Sequence, residues 1–435
     1  NNLQSCYYLA MNKISCNTLV IGGGPAGIMS AIKASEKNSD VILVEKNNRL
    51  GVKLLITGKG RCNITNAENN VKKLVEKYGK NGKFLYSCLN NFCTQDVVNM
   101  LEKYGLNTKI EQGNRIFPDS DKSADVLNLF VKLLKKQKVE IMVNSGVRKI
   151  VTEHRTDNTE QKTPSTKIIK KVILDDGTEI EAKKYILTTG GKSYPATGST
   201  GEAFLWLRTL GHNITKLSPA LVPIKCKESF IEELEGLSLR NVEIAAYQDN
   251  KKRLSQFGEA VFTNNGMSGP IIQDMSSNVG ELLENVEVKL KIDFKPALDF
   301  PTLDKRLQKD FQEFSNKMFR NSLDKLLPKS LIPIIIKLSK IDPDKKVNLI
   351  TKEERNKLLH LLKEFELIVT ALEKFSKAII TKGGVDLKEV DPKTMQSKIV
   401  DNLYFAGEIL DLDGPTGGYN LQIWWSTGYA AGTSS

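Results

Sequence analysis

Apolar positions follow two rhythms along this chain. Residues 19–21 form a short unbroken apolar run, which predicts a buried strand. An Ala- and Ile-rich segment with helical spacing follows through Lys37, and residues 40–45 return to an apolar run. Strand, helix and strand in this order predict a βαβ unit and hence a parallel sheet. Residues 71–106 and 124–138 repeat apolar positions at helical spacing. In the second of these, Val126, Leu129, Phe130, Leu133 and Leu134 mark the face expected to be buried. Residues 139–143 and 147–151 read as strands, and 154–167 as a polar hairpin or loop. Residues 168–174 and 178–182 predict a β-hairpin around Asp176-Gly177, and residues 185–190 a further strand.

From Ser193 the rhythm changes. Pro195, Pro219, Pro223, Pro270, Pro296 and Pro301 punctuate short apolar runs. Residues 222–226, 242–247, 260–263 and 286–294 read as strands of a β-rich insert. Residues 303–327 predict one amphipathic helix, apolar at Leu307, Phe311, Phe314, Met318, Leu323 and Leu326. Its other side carries Arg306, Lys309, Lys317 and Arg320, interrupted by Asp310 and Glu313. Residues 329–341 and 352–365 continue helical. Residues 378–385 and 403–408 return to apolar strands, and Tyr419-Asn-Leu-Gln422 opens a terminal helix.

The first strand runs into Gly22-Gly-Gly-Pro-Ala-Gly27, which fits G-x-G-x-x-G. Gly22 allows the tight turn, Gly24 lets a pyrophosphate approach the backbone, and Gly27 lets the helix lie close to the sheet. The helix start, with Pro25 and Ala26, offers free N–H groups and a partial positive charge to the phosphates. Glu45 closes the second strand where an acid binds a ribose hydroxyl. The loop after it carries Lys53, Lys59 and Arg61, with Gly58 and Gly60 permitting close backbone approach and Asn63, Thr65 and Asn66 offering neutral hydrogen bonds. Gly190-Gly-Lys-Ser193 is not a Walker A motif, because the earlier glycine that motif needs is Ile186. No second G-x-G-x-x-G follows, so the chain reads as one dinucleotide site without a separate nicotinamide domain.

Composition changes this picture little. Of 435 residues, 40% are hydrophobic and 26% charged, as in an ordinary globular protein. No apolar run approaches the roughly 20 residues that span a bilayer. Met11 reads as a natural start, and the residues before it lack the features of a signal peptide. Cys6, Cys16, Cys62, Cys88, Cys93 and Cys226 form neither a C-x-x-C pair nor a metal-like cluster, which points to a reducing cytoplasm and away from zinc. Lys and Arg number 63 against 51 acids, a net charge of +12. Such a surplus can steer a protein to nucleic acid, or it can be spread over a solvated surface.

Four blocks carry a resemblance. They are Leu54-Leu-Ile-Thr-Gly-Lys-Gly-Arg-Cys-Asn63, Thr189-Gly-Gly-Lys-Ser-Tyr-Pro195, Phe262-Thr-Asn-Asn-Gly-Met-Ser-Gly-Pro270, and Tyr404-Phe-Ala-Gly-Glu408 with Asp413-Gly-Pro-Thr-Gly-Gly-Tyr-Asn-Leu-Gln422. By these strings, in this order, the chain resembles the aminoacetone-oxidase-like, or BaiN/YhiN-like, family of bacterial FAD flavoproteins. It departs from the family's pattern at Val52, where Arg is usual, and at Asn264, where His is common.

The resemblance implies an α/β fold: a Rossmann-type FAD-binding domain over residues 14–194 and 375–435. A β-barrel-like insert at 195–374, with a helical cap near 300–345, interrupts it. FAD is the implied cofactor and NAD(P)H a transient electron donor. Beyond the residues already named, the matching blocks imply cofactor contacts from Lys46, Leu54, Thr57, Cys62, Val147, Thr189, Gly190, Gly407, Glu408, Gly418, Tyr419, Asn420 and Leu421. Glu408 is the expected ribityl ligand, and the terminal helix is expected to point its N-terminus at the flavin. Cys62, beside Arg61, is a candidate proton donor, with a plain packing role as its alternative; Tyr419 and Tyr194 are the other candidates. The expected activity is a hydride transfer from reduced flavin to an unsaturated substrate, either a small molecule or a uridine of ribosomal RNA. An amine or small-molecule oxidase and a flavin-binding redox protein without turnover are the rivals.

Overall fold

The computed structural model describes residues 12–37, 40–155, 166–284 and 286–435. Met11, Cys6 and most of the connection expected at 154–167 lie outside them. The chain divides into two compact units. One holds the described residues up to Ser218 together with Ile380–Ser435, and the other is Pro219–Ile379. The first boundary therefore lies 24 residues beyond the expected 194. The cause is local: Phe204 and Leu207 of the helix Ala203–Leu210 are buried, and Asn47 Nδ2 donates to the Thr197 carbonyl at 3.1 Å.

The first unit is built on a seven-stranded sheet. Its path runs Glu140–Met142, Val41–Val44, Lys13–Ile21, Glu179–Leu187, Thr166–Leu174 and Val147–Arg155, with Leu403–Phe405 also paired to Glu179–Leu187. The strands around Lys13–Ile21 are parallel. The hairpin at Asp176-Gly177 is present, with Val172 opposite Ile180. Its second strand runs on to Leu187, so the separate strand expected from residue 185 is the end of the same one. All four side chains of Val41–Val44 are buried, as expected where helices cover both faces.

The helix Pro25–Ser35 and the terminal helix Tyr419–Ser434 pack at backbone distance. A Cβ on Gly428 would lie 2.6 Å from the Ala26 carbonyl oxygen, and one on Gly432 would lie 2.3 Å from that of Ser30. Ser30 Oγ closes the contact by donating to the Gly428 carbonyl at 3.1 Å. Trp425, fully buried, donates its indole N–H to the Ile64 carbonyl at 3.1 Å and stacks on Phe130.

Residues 71–106 are not one helix. They form helices Val71–Lys77, Tyr86–Asn91 and Thr94–Lys103 with a 3-10 segment Gly79–Leu85. Gly79 adopts a left-handed φ of 58°, and Gly82 sits against the Val75 carbonyl where no Cβ fits. Asp96 restarts the last helix by accepting the Cys93 N–H at 2.7 Å.

The second unit contains a closed barrel of Ile224–Cys226, Gly266–Ser268, Lys251–Thr263, Ser238–Gln248, Val288–Asp293 and Phe365–Leu372. The last strand begins where the expected helix ends, and the sequence reading assigns no element to residues 366–372. Helices Phe300–Glu313, Ile332–Ser339 and Lys352–Lys363 fall between the last two barrel strands and share one hydrophobic core with them, through Leu303, Leu307, Leu290 and Phe365. The helix expected over 303–327 stops at Glu313. Beyond it the backbone finds other partners: Val347 N–H donates to the Lys317 carbonyl and Phe319 N–H to that of Lys345. Phe319, Leu323 and Leu326 are buried by this folded-back segment, and their helix-like spacing is coincidental. Of that basic face, Arg306 pairs with Asp310 and Arg320 with Asp344, so two of its four cations are matched by acids, and nearby Lys325 pairs with Glu313.

In the first unit, His212 is buried between Glu389, 2.9 Å from Nδ1, and Ser397 Oγ, 2.9 Å from Nε2. Burial pushes its pKa down, against a smaller upward pull from Glu389. The unfolded chain therefore takes up this proton first, near pH about 6.5. The stability is present above that pH and is lost as pH falls through the lower folded-state value. The melting temperature should fall on acidification below neutrality, and His212→Gln should flatten that slope. An unchanged slope would show that other groups set the acid sensitivity.

Candidate cofactor site

A cleft opens at the carboxyl ends of the parallel strands in the first unit. This position suits a nucleotide cofactor. Its floor is the turn out of Lys13–Ile21. Gly22 has φ 109°, and a Cβ there would strike the Thr188 carbonyl oxygen at 2.6 Å. A Cβ on Gly27 would lie 1.9 Å from the Gly22 carbonyl oxygen, so helix and turn touch backbone to backbone. A Cβ on Gly24 would meet nothing within 4 Å, because Gly24 faces the cavity. Pro25 occupies the first helical turn, and no side chain caps this helix. Its free N–H groups are therefore available to an anion.

The walls fix polar groups around this opening. Glu45 Oε2 accepts the Gly23 N–H at 2.7 Å, and Oε1 accepts the Asn47 N–H at 2.8 Å. The carboxylate is thus held on the wall in one orientation. Thr188 Oγ1 donates at the end of its strand to the carbonyls of Ile21 and Gly22, at 2.9 and 2.8 Å. The neighbouring Thr189 also lines the cavity, and its buried hydroxyl has no partner. Lys46 Nζ donates to Glu202 at 2.7 Å and Thr200 at 3.0 Å, at an end shared with Ser145, Gly146, Val147 and Trp206. Lys53, Glu408 and Trp424 complete the lining.

Gly22, Gly24, Pro25, Ala26, Glu45, Lys46, Lys53, Val147, Thr189, Gly190 and Glu408 lie on this wall. Other residues named from the sequence do not. Leu54 and Cys62 have no accessible surface, so neither can touch a ligand without movement of the chain around it. Burial also pushes the Cys62 thiol up to about 12, which keeps it protonated and makes it a weak acid. Arg61 turns away to Glu111 and Asp121 and lies over the Phe117 ring, 4.1 Å from its centre. It braces a hairpin instead of meeting a phosphate.

A second group supports the terminal helix. With its amide oriented to satisfy both ends, Asn63 accepts the Gly418 N–H and donates to the carbonyls of Thr65 and Ile116. Asn420 exchanges hydrogen bonds with Gly414, and Leu421 is buried. Tyr419 is half-buried, edge-on to Tyr78, whose hydroxyl donates to the Tyr419 carbonyl at 3.2 Å. Gly60 is exposed, the Thr57 hydroxyl donates to the Leu54 carbonyl, and Gly407 packs against Ala26 and Trp424. Trp206 and Trp424 are wall residues that the sequence reading missed. Nothing but the rarity of tryptophan, three in the whole chain, could have drawn attention to them.

The donor set fits FAD. An uncapped helix start, a glycine open to the cavity, a fixed carboxylate and an unpartnered threonine hydroxyl match the diphosphate, ribose and polar edges of a dinucleotide.

Comparison with known proteins agrees. The HI0933-like protein Rossmann domain family matches residues 16–434. A 3-dehydro-bile acid delta(4,6)-reductase of Clostridium scindens is 31% identical over 98% of this chain and 99% of its own length. A ribosomal RNA dihydrouridine synthase of Haemophilus influenzae is 28% identical over 96% of this chain and 97% of its own. A solved 3-ketosteroid delta1-dehydrogenase from Sterolibacterium denitrificans shares the fold with a TM-score of 0.50. It is 12% identical and covers 96% of this chain and 98% of its own. The chain belongs to the HI0933-like family of FAD-binding Rossmann proteins and is an FAD-dependent oxidoreductase.

Gly24 has φ −78° and ψ −177°, a backbone open to any residue. Gly24→Val should therefore fold normally while filling the space beside the helix start. The purified variant should lack the visible flavin absorbance of the wild type. A variant with stoichiometric FAD would remove the diphosphate from this position.

Proposed function

We propose that this HI0933-like flavoprotein is an NAD(P)H-driven reductase acting on a carbon–carbon double bond conjugated to a carbonyl in a small molecule. The observation that carries the reading is a reaction common to two relatives that cover nearly the whole chain. One is named for reduction of a bile acid at positions 4 and 6, the other for making dihydrouridine. A 3-oxo-4,6-diene and a uracil ring both present a double bond conjugated to a carbonyl. Bound FAD would accept hydride from the nicotinamide and deliver hydride to such a bond.

The chain's own residues bind and orient the cofactor. Glu45, locked by two backbone N–H groups, is an acceptor for ribose hydroxyls. The start of Pro25–Ser35 holds the diphosphate, while Val147 and Trp206 give the Lys46 end its apolar surface. A single dinucleotide motif supports a nicotinamide that binds, reacts and leaves. Protonation of the second carbon needs a donor with surface. Tyr419 and Tyr194 have it and Cys62 has none. No helix among the described residues is long and apolar enough to cross a membrane, and a cytoplasmic reductase would meet its nicotinamide donor there.

A small molecule is favoured over ribosomal RNA by the pairing of charge in the second unit. Of the four cations that would form an RNA-binding face, Arg306 and Lys309 share a helix, whereas Lys317 and Arg320 follow its end. Arg306 and Arg320 are each matched by an aspartate.

Anaerobic mixing with NADPH or NADH should bleach the flavin, and an α,β-unsaturated ketone should restore its colour mole for mole. Colour restored by unmodified ribosomal RNA and by no enone would transfer the substrate to RNA. Colour restored by oxygen alone, with peroxide released, would make the protein an oxidase. A flavin that neither nicotinamide bleaches would contradict the donor.

A further inference from the structure

Lys53 and Glu408 are 355 positions apart in sequence, yet their side chains meet on the cavity wall, 10% and 3% exposed. The ammonium lies 2.6 Å from Glu408 Oε2. Ser193 bridges them: its Oγ accepts from Lys53 at 2.7 Å and donates to Glu408 Oε1 at 2.6 Å. The same Oε1 accepts the Thr381 N–H at 2.8 Å. Thr381 Oγ1 in turn accepts the N–H groups of Lys192 and Ser193, at 2.7 and 3.0 Å. Gly191 leaves room for this arrangement, since a Cβ there would lie 2.4 Å from Thr381 Oγ1 and 2.9 Å from Glu408 Oε1.

A carboxylate offers about four acceptor positions. Three of those on Glu408 are taken by protein donors, so the protein has already committed most of this carboxylate. The Lys53 ammonium spends two of its three N–H groups on Ser193 and Glu408. Its position on the wall is set beside the dinucleotide helix. A Cβ on Gly407 would lie 2.7 Å from that of Ala26 and 3.7 Å from the Trp424 ring, and the Lys53 ammonium stands 5.6 Å from the centre of the same ring.

We propose that Glu408 is a positioning residue. With Ser193 it aims the Lys53 ammonium at the diphosphate of bound FAD, and it does not hold the ribityl chain itself. An unpaired carboxylate buried beside a diphosphate would repel it. An ammonium shared by both anions removes that repulsion and adds a fixed cation to the free N–H groups of the helix start. The proposal rests on the FAD assignment.

The test is a double-mutant cycle on the full chain, freed of flavin, with FAD and ADP as ligands. ADP carries the diphosphate but neither ribityl chain nor flavin. Glu408→Gln should weaken FAD and ADP by the same factor, roughly tenfold, as for one lost charge-assisted hydrogen bond. In a Lys53→Met background Glu408→Gln should weaken neither further, because its effect passes through the lysine. Lys53→Arg should restore most of the affinity that Lys53→Met loses. If Lys53→Met fails to fold by circular dichroism, Lys53→Gln serves in the same cycle.

Glu408→Gln that weakens FAD but leaves ADP untouched would overturn the proposal in favour of a direct ribityl contact. So would losses that multiply in the double variant, or a Glu408→Gln that changes neither affinity. A wild type that binds neither FAD nor ADP would instead overturn the cofactor assignment beneath it.

Discussion

The site depends on the backbone contact between the helix Pro25–Ser35 and the turn that precedes it. Gly27 lies so close to the Gly22 carbonyl that a single methyl group would separate them. Thr188, at the end of the adjacent strand, ties the same turn down with its hydroxyl. Close packing on that side leaves the other side of the turn open, and the uncapped helix start faces the cavity. A helix start buried without partners is costly, so this geometry is stable only where an anion or water completes it. On the opposite flank Gly428 and Gly432 of the terminal helix come equally close to Ala26 and Ser30. The last helix of the chain is thereby fixed by the first.

Charge on the wall follows from that geometry. Three carboxylates, Glu45, Glu202 and Glu408, line a cavity suited to an anionic cofactor, and Glu202 is paired with Lys46. Each is balanced by protein donors. Glu45 uses two backbone N–H groups, and Glu408 uses a hydroxyl, a backbone N–H and the Lys53 ammonium. Burial of an ion pair seldom adds net stability, and removing one partner strands the other. The pair is better understood through the ligand it faces than as a device that holds the fold together.

Much of this was legible in the sequence. The glycine spacing, the acid after the second strand, the hairpin at Asp176-Gly177 and the β-rich insert follow from local patterns, and local geometry realises them. The failures share a cause, which is dependence on contacts distant in sequence. Cys62 neighbours Arg61, but its φ of 63° turns the thiol inward while the guanidinium reaches out to Glu111 and Asp121. The Lys53–Glu408 pair joins opposite ends of the chain, and no spacing rule could anticipate it. The helix expected to reach 327 ends at Glu313 because residues near 345 capture the backbone that would have continued it.

Everything above depends on this cavity holding one FAD. Acid release of the flavin from the purified wild-type chain, with chromatographic identification and protein quantitation, measures that directly. One equivalent of FAD per chain is expected. Recovery of FMN in its place, or of no flavin from a folded chain that FAD cannot reconstitute, would contradict it.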